Sequence, residues 1–400
     1  MGTESLIREV SMRNDLEQER QWAVQRYLKG EKPAAICASL GRSRPWLYKW
    51  SARFSTGDPG WFQDQSRQPR SNPLRTPAEI EGIVKLLRLS LYNDDLFCGA
   101  QAIQWEMDEM HVRPVPSLRT IGRILSRHDL THRRTGRYEP KGKAYPELPA
   151  LQPNQTHQAD LVGPRYLKGP VRFYSLNVVD LRTARCGLEP LLSQSGQSIV
   201  DALWSLWRRM GIPRNLQVDN AWSFYGSPAH PRGMGPLIRL CLHHRVQPWF
   251  IPMNEPWRNG VVEKFNDHYD QKFFRKVMIA SADELMQASL SFEQKHNSRY
   301  RYGKLRGKTP LEVLAQTGKK LRFPKQEHAP RLPLKKPETG CFHVVRFIRS
   351  DLRLNVFGEL FTVPSQLQYE YVVATIDVKE QKLKIFLDHQ QIEEYAYKIR

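Results

Sequence analysis

Between residues 155 and 273 the apolar positions switch repeatedly between strand and helix period, and that alternation restricts the chain to a sheet covered by helices. A run from Gln155, then 171–179 and 184–191, read as three strands, the last two joined by the turn-like Asp180-Leu181-Arg182-Thr183. Ile199, Leu203, Leu206, Trp207 and Met210 then recur at helical spacing until Gly211 and Pro213 stop the pattern. Residues 215–218 form a short strand, 237–244 a helix and 246–251 a fifth strand. Asn259-Gly260 is a turn signal, and behind it Val262, Phe265, Tyr269 and Phe273 share one helical face. A meander followed by strand–helix alternation predicts a mixed five-stranded sheet with helices on both faces.

Three carboxylates stand where such a sheet collects functional groups, at strand ends and an adjoining helix start. Asp160 lies in the first strand run, in Thr156-His157-Gln158-Ala159-Asp160-Leu161-Val162-Gly163-Pro164. Asp219 closes the fourth, in Val218-Asp219-Asn220-Ala221, 59 residues later. Glu263 follows by a further 44 residues in the first turn after Asn259-Gly260, near the positive end of the helix dipole. Asn266, Asp267 and Asp270 share a neighbouring face of that helix. Asp180 is a decoy, because hairpin turns favour Asp. Glu255 is a rival for the third place, but it precedes Pro256, which disfavours helical backbone at Glu255.

These stretches resemble the DDE transposase and retroviral-integrase family. Its ribonuclease-H-like core has an Asp in a W-x-x-D-x-T/V-G setting, an Asp in D-N-G/A, and a Glu in N-G-x-x-E-R/K-x-N. The chain shows His157…Asp160, Asp219-Asn220-Ala221, and Asn259-Gly260-Val261-Val262-Glu263-Lys264-Phe265-Asn266. It departs from the pattern in the longer Asp219–Glu263 interval, with the surplus assigned to a Gly/Pro-rich loop at 225–235. The resemblance implies that Asp160, Asp219 and Glu263 are catalytic and hold two Mg²⁺ ions per active site, with Mn²⁺ as a substitute. It implies cleavage at the 3′ ends of an element and attack of the freed 3′-hydroxyl on target DNA. Because one chain carries one carboxylate trio and two ends must be joined, self-association on DNA as a dimer or more is expected.

The flanking segments suit a DNA partner. At 1–56 a helix over 16–27 with Trp22, Val24 and Tyr27 apolar, a helix at 32–41, and a helix at 44–50 capped by Ser43 form a helix-turn-helix pattern. Arg42, Arg44 and Lys49 are its candidate DNA contacts. Residues 57–75 read as a linker. A second helix-turn-helix unit spans 76–130, with Thr76 as a helix cap and Ser117 capping a helix that carries Arg119, Arg123 and Arg127 in one row. The basic linker 131–152 holds Arg133, Arg134 and Arg137. The catalytic core is expected over 153–302, with Arg258 and Lys264 as backbone contacts and Lys272 as a further cation. A linker at 303–340 leads to 341–400, whose six short strand runs predict a small SH3-like β-barrel. The fold class is therefore multidomain: all-α helix-turn-helix units, an α/β ribonuclease-H-like core and a C-terminal barrel.

Composition agrees. A formal charge of +20 over 400 residues suits a polyanion, and no apolar run approaches the roughly 20 residues of a spanning helix. The polar start lacks the apolar core of a signal peptide, so a cytoplasmic, bacterial nucleoid-associated protein is expected. The five cysteines form no C-x-x-C pair, and Cys241, His243 and His244 make only an incomplete metal cluster at a helix end. The leading expectation is an active, metal-dependent DNA transposase. Two alternatives are a catalytically silent DNA-binding regulator derived from one, and a ribonuclease-H-type nuclease without strand transfer.

Overall fold

A computed structural model describes residues 3–65, 75–131, 144–167, 171–226, 229–230 and 232–400. The chain divides into two compact units, Met1–Arg75 and Thr76–Arg400.

The first unit contains α1 (Thr3–Leu28), α2 (Pro33–Leu40) and α3 (Arg44–Phe54). Ala23, Val24, Ile36, Leu47 and Trp50 are buried between them. Gly41 ends α2 in the left-handed region at φ 62°, which costs a residue without Cβ little. Ser43 occupies the cap position of α3 but its side chain makes no cap bond. Trp22, expected as an apolar packing position, is 51% exposed and lies against the Arg26 guanidinium. The stretch expected as a linker is folded at its start: Arg20, buried over Trp50, donates to Phe62 O at 2.7 Å, and Trp61 meets Phe54 edge-on.

The second unit opens with α4 (Ala78–Asn93), α5 (Ala100–Glu109) and α6 (Leu118–Arg127). Ser117 caps α6 by accepting from Thr120 N, whereas Pro77 and not Thr76 stands at the cap of α4. The sheet begins with β1 (Thr156–Tyr166), β2 (Arg172–Asp180) and β3 (Cys186–Leu191), an antiparallel meander. After α7 (Gly196–Met210), β4 (Asn215–Val218) returns parallel to β1. After α8 (Trp222–Tyr225) and α9 (Pro236–His243), β5 (Gln247–Phe250) lies parallel to β4. The strands β3-β2-β1-β4-β5 pair as the mixed sheet expected, but the sheet is larger than the five strands expected. A short 3₁₀ turn, Pro256–Asn259, leads into α10 (Gly260–Tyr269), and α11 (Ala282–Arg299) and α12 (Pro310–Thr317) follow.

The sheet does not stop at β5. β6 (Cys341–Phe347) pairs in parallel with it through Trp249–His343 and Phe250–Val344. β9 (Tyr371–Asp377), β10 (Lys382–Leu387) and β11 (Gln390–Ala396) then add antiparallel strands, giving nine in one sheet. Among the described residues only β7 (Arg353–Val356) and β8 (Glu359–Thr362) pair apart from it. The expected separate C-terminal barrel is thus corrected: the same strand runs extend the core sheet. The physical reason is the open edge of β5, whose unpaired backbone groups and apolar Phe250 take up β6. One apolar core runs from Leu216 and Phe250 through Val344, Ala374 and Ile385.

Alternation sorts the two faces. Leu176, Val178, Leu216 and Val218 face α7 and α9, while Phe173 and Val179 join Val262 and Phe265 of α10 and Phe292 of α11. The helices α4–α6 pack into that second layer through Ile80, Ile103 and Ile121. Phe97 touches Tyr300 and Tyr302 edge-on, and Gly307, at φ 81°, leaves room for the Trp105 ring that any Cβ would meet at 2.6 Å. Among the described residues no helix is long and apolar enough to cross a membrane.

Candidate active site

The strand register puts two of the carboxylates level. Gln158 of β1 pairs with Gln217 of β4, and Asp160 and Asp219 each lie two residues beyond that rung. Side chains two apart share a sheet face, so both carboxylates lie on the face of the two glutamines. That face receives α10. Gln158 Oε1 accepts from Val261 N and Val262 N, both at 3.1 Å, filling the orphan donors of the helix start. Gln217 Nε2 donates to Arg258 O at 2.8 Å, and Asn259 Nδ2 to Ala159 O at 2.9 Å. The first turn of α10, with Glu263, is therefore tied to the two strands that carry Asp160 and Asp219.

A polar chain fixes Asp160. Asn266, one turn after Glu263, donates to Asp160 Oδ2 at 2.6 Å. Asn266 Oδ1 accepts from Asn177 Nδ2 at 2.7 Å, and Asn177 Oδ1 from Ser175 at 2.6 Å. Asn177 is the residue paired with Asp160 across β1–β2. Asp219 accepts from Ala221 N at 3.1 Å, a local turn that makes the small Ala221 suitable.

Burial, then the charge of Asp219, then that of Glu263, push Asp160 up to about 6. Burial also raises Asp219, and burial followed by Asp267 raises Glu263. Among the described residues no Lys or Arg pairs with any of the three. Two neighbouring, half-buried carboxylates without a counter-ion form an anionic, oxygen-only donor set, which fits a hard divalent cation. The carboxylates are neighbours but do not converge: among the described residues no group of three or more His, Cys, Asp or Glu side chains could hold a metal ion.

The rival carboxylates have structural partners. Asp180 is 1% exposed and binds Asn154 N, Thr183 N and Thr183 Oγ1, fastening the β2–β3 turn. Glu255 is paired with Arg258 at 3.0 Å and accepts from the Tyr371 hydroxyl at 2.8 Å. Asp270 pairs with Arg165 and Arg275, and Asp267 with Lys264. The 225–235 loop, as far as described, turns to the C-terminal strands: Tyr225 stacks on Phe357, and Arg232 pairs with Glu359. Cys241 is buried, His243 bonds Lys335 O and His244 lies edge-on to Trp204, so that cluster holds no ligand set.

The expected DNA contacts divide. Arg44, Lys49, Arg119 and Arg123 are exposed. Arg42 is held by Glu19 at 2.8 Å, and Arg127 by Glu81 at 2.5 Å. Lys264 reaches Asp267 at 3.2 Å with both ends in water, a weak pair. Arg258 is enclosed by the rings of Tyr145 (4.1 Å) and Tyr371 (4.9 Å), which removes it from the free cations. Lys272 lies near the Tyr92 ring. Arg133, Arg134 and Arg137 lie outside the described residues.

Sequence inspection missed Gln158, Ser175, Asn177, Gln217, Arg346 and Tyr371. The first four carried a readable signal, since polar residues at inward positions of apolar strands must find partners. Arg346 carried none: 6% exposed, it donates to Asn220 Oδ1 at 2.9 Å and Ile251 O at 3.0 Å, and burial lowers it to about 10.

Residues 14–62 match the homeodomain-like domain family. No curated protein matches the chain. The catalytic core domain of the HTLV-2 integrase, solved in complex with magnesium in trimeric form, is similar at 15% identity over 41% of this chain and 99% of that one, TM-score 0.33. The simian T-cell lymphotropic virus intasome, solved with a PP2A regulatory subunit, is similar at 15% identity over 73% of this chain and 88% of that one, TM-score 0.36. The chain is thus similar to homeodomain-like domains over its first three helices, and retroviral integrases are among its structural neighbours.

Proposed function

We propose that the protein is a DNA transposase that binds element ends, cleaves phosphodiester bonds and joins the 3′ ends to target DNA. The observation that carries the reading is that Asp160 and Asp219 each lie two residues beyond the Gln158–Gln217 rung, beside the α10 start that bears Glu263, with no cation paired to them among the described residues. Mg²⁺ or Mn²⁺ held by Asp160, Asp219 and Glu263 would supply the positive charge that displacement at an anionic phosphate requires. The backbone just before Glu263 is tied to β1 through Gln158, which accepts from Val261 N and Val262 N. Asn266 holds Asp160 Oδ2 and so fixes the orientation of that carboxylate.

DNA binding rests on the homeodomain-like helices, with Arg44 and Lys49 exposed, and on Arg119 and Arg123 of α6. Two ends must be joined to one target, so at least two copies assemble on DNA. The test is incubation with candidate element ends, target DNA and Mg²⁺, reading joined products on a gel. End binding without cleavage or joining would instead favour the silent regulator, the reading that agrees with carboxylates not yet converged.

A further inference from the structure

The C-terminal strands touch the segments that carry two of the three carboxylates. On β6, Arg346 holds Asn220 and Ile251, the residues that follow Asp219 and β5. On β9, the Tyr371 hydroxyl lies 2.8 Å and 3.0 Å from the two Glu255 oxygens and accepts from the Arg258 guanidinium at 3.0 Å. Arg258 closes the set by pairing with Glu255 and by lying against the rings of Tyr371 and Tyr145, which meet each other edge-on. Residues 255–259 are the approach to α10. They are fastened at three places: to β1 through Asn259, to β4 through Gln217, and to β9 through Tyr371. The first two ties lie within the five-stranded part of the sheet, and the third comes from outside it.

We infer that Tyr371 and Arg346 are positioning residues for the carboxylate centre, so that the C-terminal strands are a working part of that centre and not an appended DNA-binding module. Arg346 sets the turn that presents Asp219. Tyr371, through Glu255 and Arg258, sets the angle at which the chain enters α10 and hence where Glu263 stands. The inference rests on the proposed two-cation reading of Asp160, Asp219 and Glu263. A contact that orients ligands from behind changes cation affinity by about 10–100-fold without touching the cation. Tyr371→Phe keeps the ring against Arg258 and removes only the hydroxyl.

The test uses the full-length chain and Mn²⁺ as probe, with binding counted by electron paramagnetic resonance in the absence of DNA. Tyr371→Phe and Arg346→Lys should bind Mn²⁺ about tenfold more weakly than wild type. Melting should stay within a few degrees for Tyr371→Phe, end binding should be unchanged, and joining should recover at raised Mn²⁺. If Tyr371→Phe melts early, Glu255→Gln opens the same contact from the other side and is read by the same criterion. Wild-type Mn²⁺ affinity in these variants, with Asp160→Asn abolishing uptake, overturns the inference alone. Equal uptake by wild type and Asp160→Asn overturns the two-cation reading, and this inference with it.

Discussion

Asn266 donates its side-chain amide to Asp160 Oδ2 at 2.6 Å across 106 residues of sequence. It stands one helical turn beyond Glu263, so one face of α10 both carries a carboxylate and orients another. Asn266→Ala should leave Asp160 without its fixed partner and lower joining by about 10–100-fold, with end binding intact. Asn266→Asp should be worse, because it adds a like charge beside an acid already raised to about 6. Initial rates of strand joining, set beside gel-shift affinities, check both.

The buried and the functional acids should separate cleanly. Asp160→Asn, Asp219→Asn and Glu263→Gln should abolish cleavage and joining while end binding persists. Asp180→Asn should retain activity per folded molecule but lose stability on the order of 1–3 kcal/mol, because it weakens the bonds to Thr183 and Asn154. Urea melts and joining assays on the same preparations decide this. An active Glu263→Gln alongside a dead Glu255→Gln would reverse the assignment of the third carboxylate.

The arginines of α6 should not behave alike. Arg119 and Arg123 are exposed, so Arg119→Ala and Arg123→Ala should weaken end binding and reduce its salt dependence by about one counter-ion each. Arg127 is paired with the largely buried Glu81, which also lies 3.4 Å from His128. Arg127→Ala should therefore lower the melting temperature more than it changes the salt slope. Binding titrated from low to high salt, with melting curves, distinguishes the two roles.

Acid should destabilise the fold through its histidines. Burial holds His157 and His268 down to about 4, and His296 and His343 down to about 3. Below about 6.5 the unfolded chain takes up these protons and the folded chain does not, so stability falls as pH drops toward 4. Charging them inside leaves cations where His157 Nδ1, His268 Nδ1 and His343 Nε2 already have no hydrogen-bond partner. Asp160 works in the opposite sense: its raised pKa means the folded state takes up a proton first as pH falls through about 6. Asp219 and Glu263 are raised by burial in the same way, but the four histidines are more numerous and three of them, His157, His296 and His343, are more deeply buried, so the net effect is a loss. Melting temperatures measured from pH 7 to pH 4 should decline steadily, and less so in a His268→Gln variant.

Local chemistry was legible in the sequence. Val262, Phe265 and Tyr269 became the buried face of α10, Ser117 caps α6, and the order of strands and helices from β1 to β5 follows the period of the apolar residues. These features are set by neighbours within a few residues, where periodicity and capping act. The three carboxylates could be singled out for the same reason: Asp160 lies within a readable strand, Asp219 just after one and Glu263 in the first turn of a readable helix. Tertiary packing alone decided which strand edge 341–347 would join, since a strand run specifies its buried face but not its partner. It also decided that Arg127 and Arg258, identical by type to free cations, would be taken by Glu81 and by the rings of Tyr145 and Tyr371. Gln158, Asn177 and Gln217 acquire their roles only when β1, β2, β4 and the start of α10 meet, because a buried polar group must find its partner from another element.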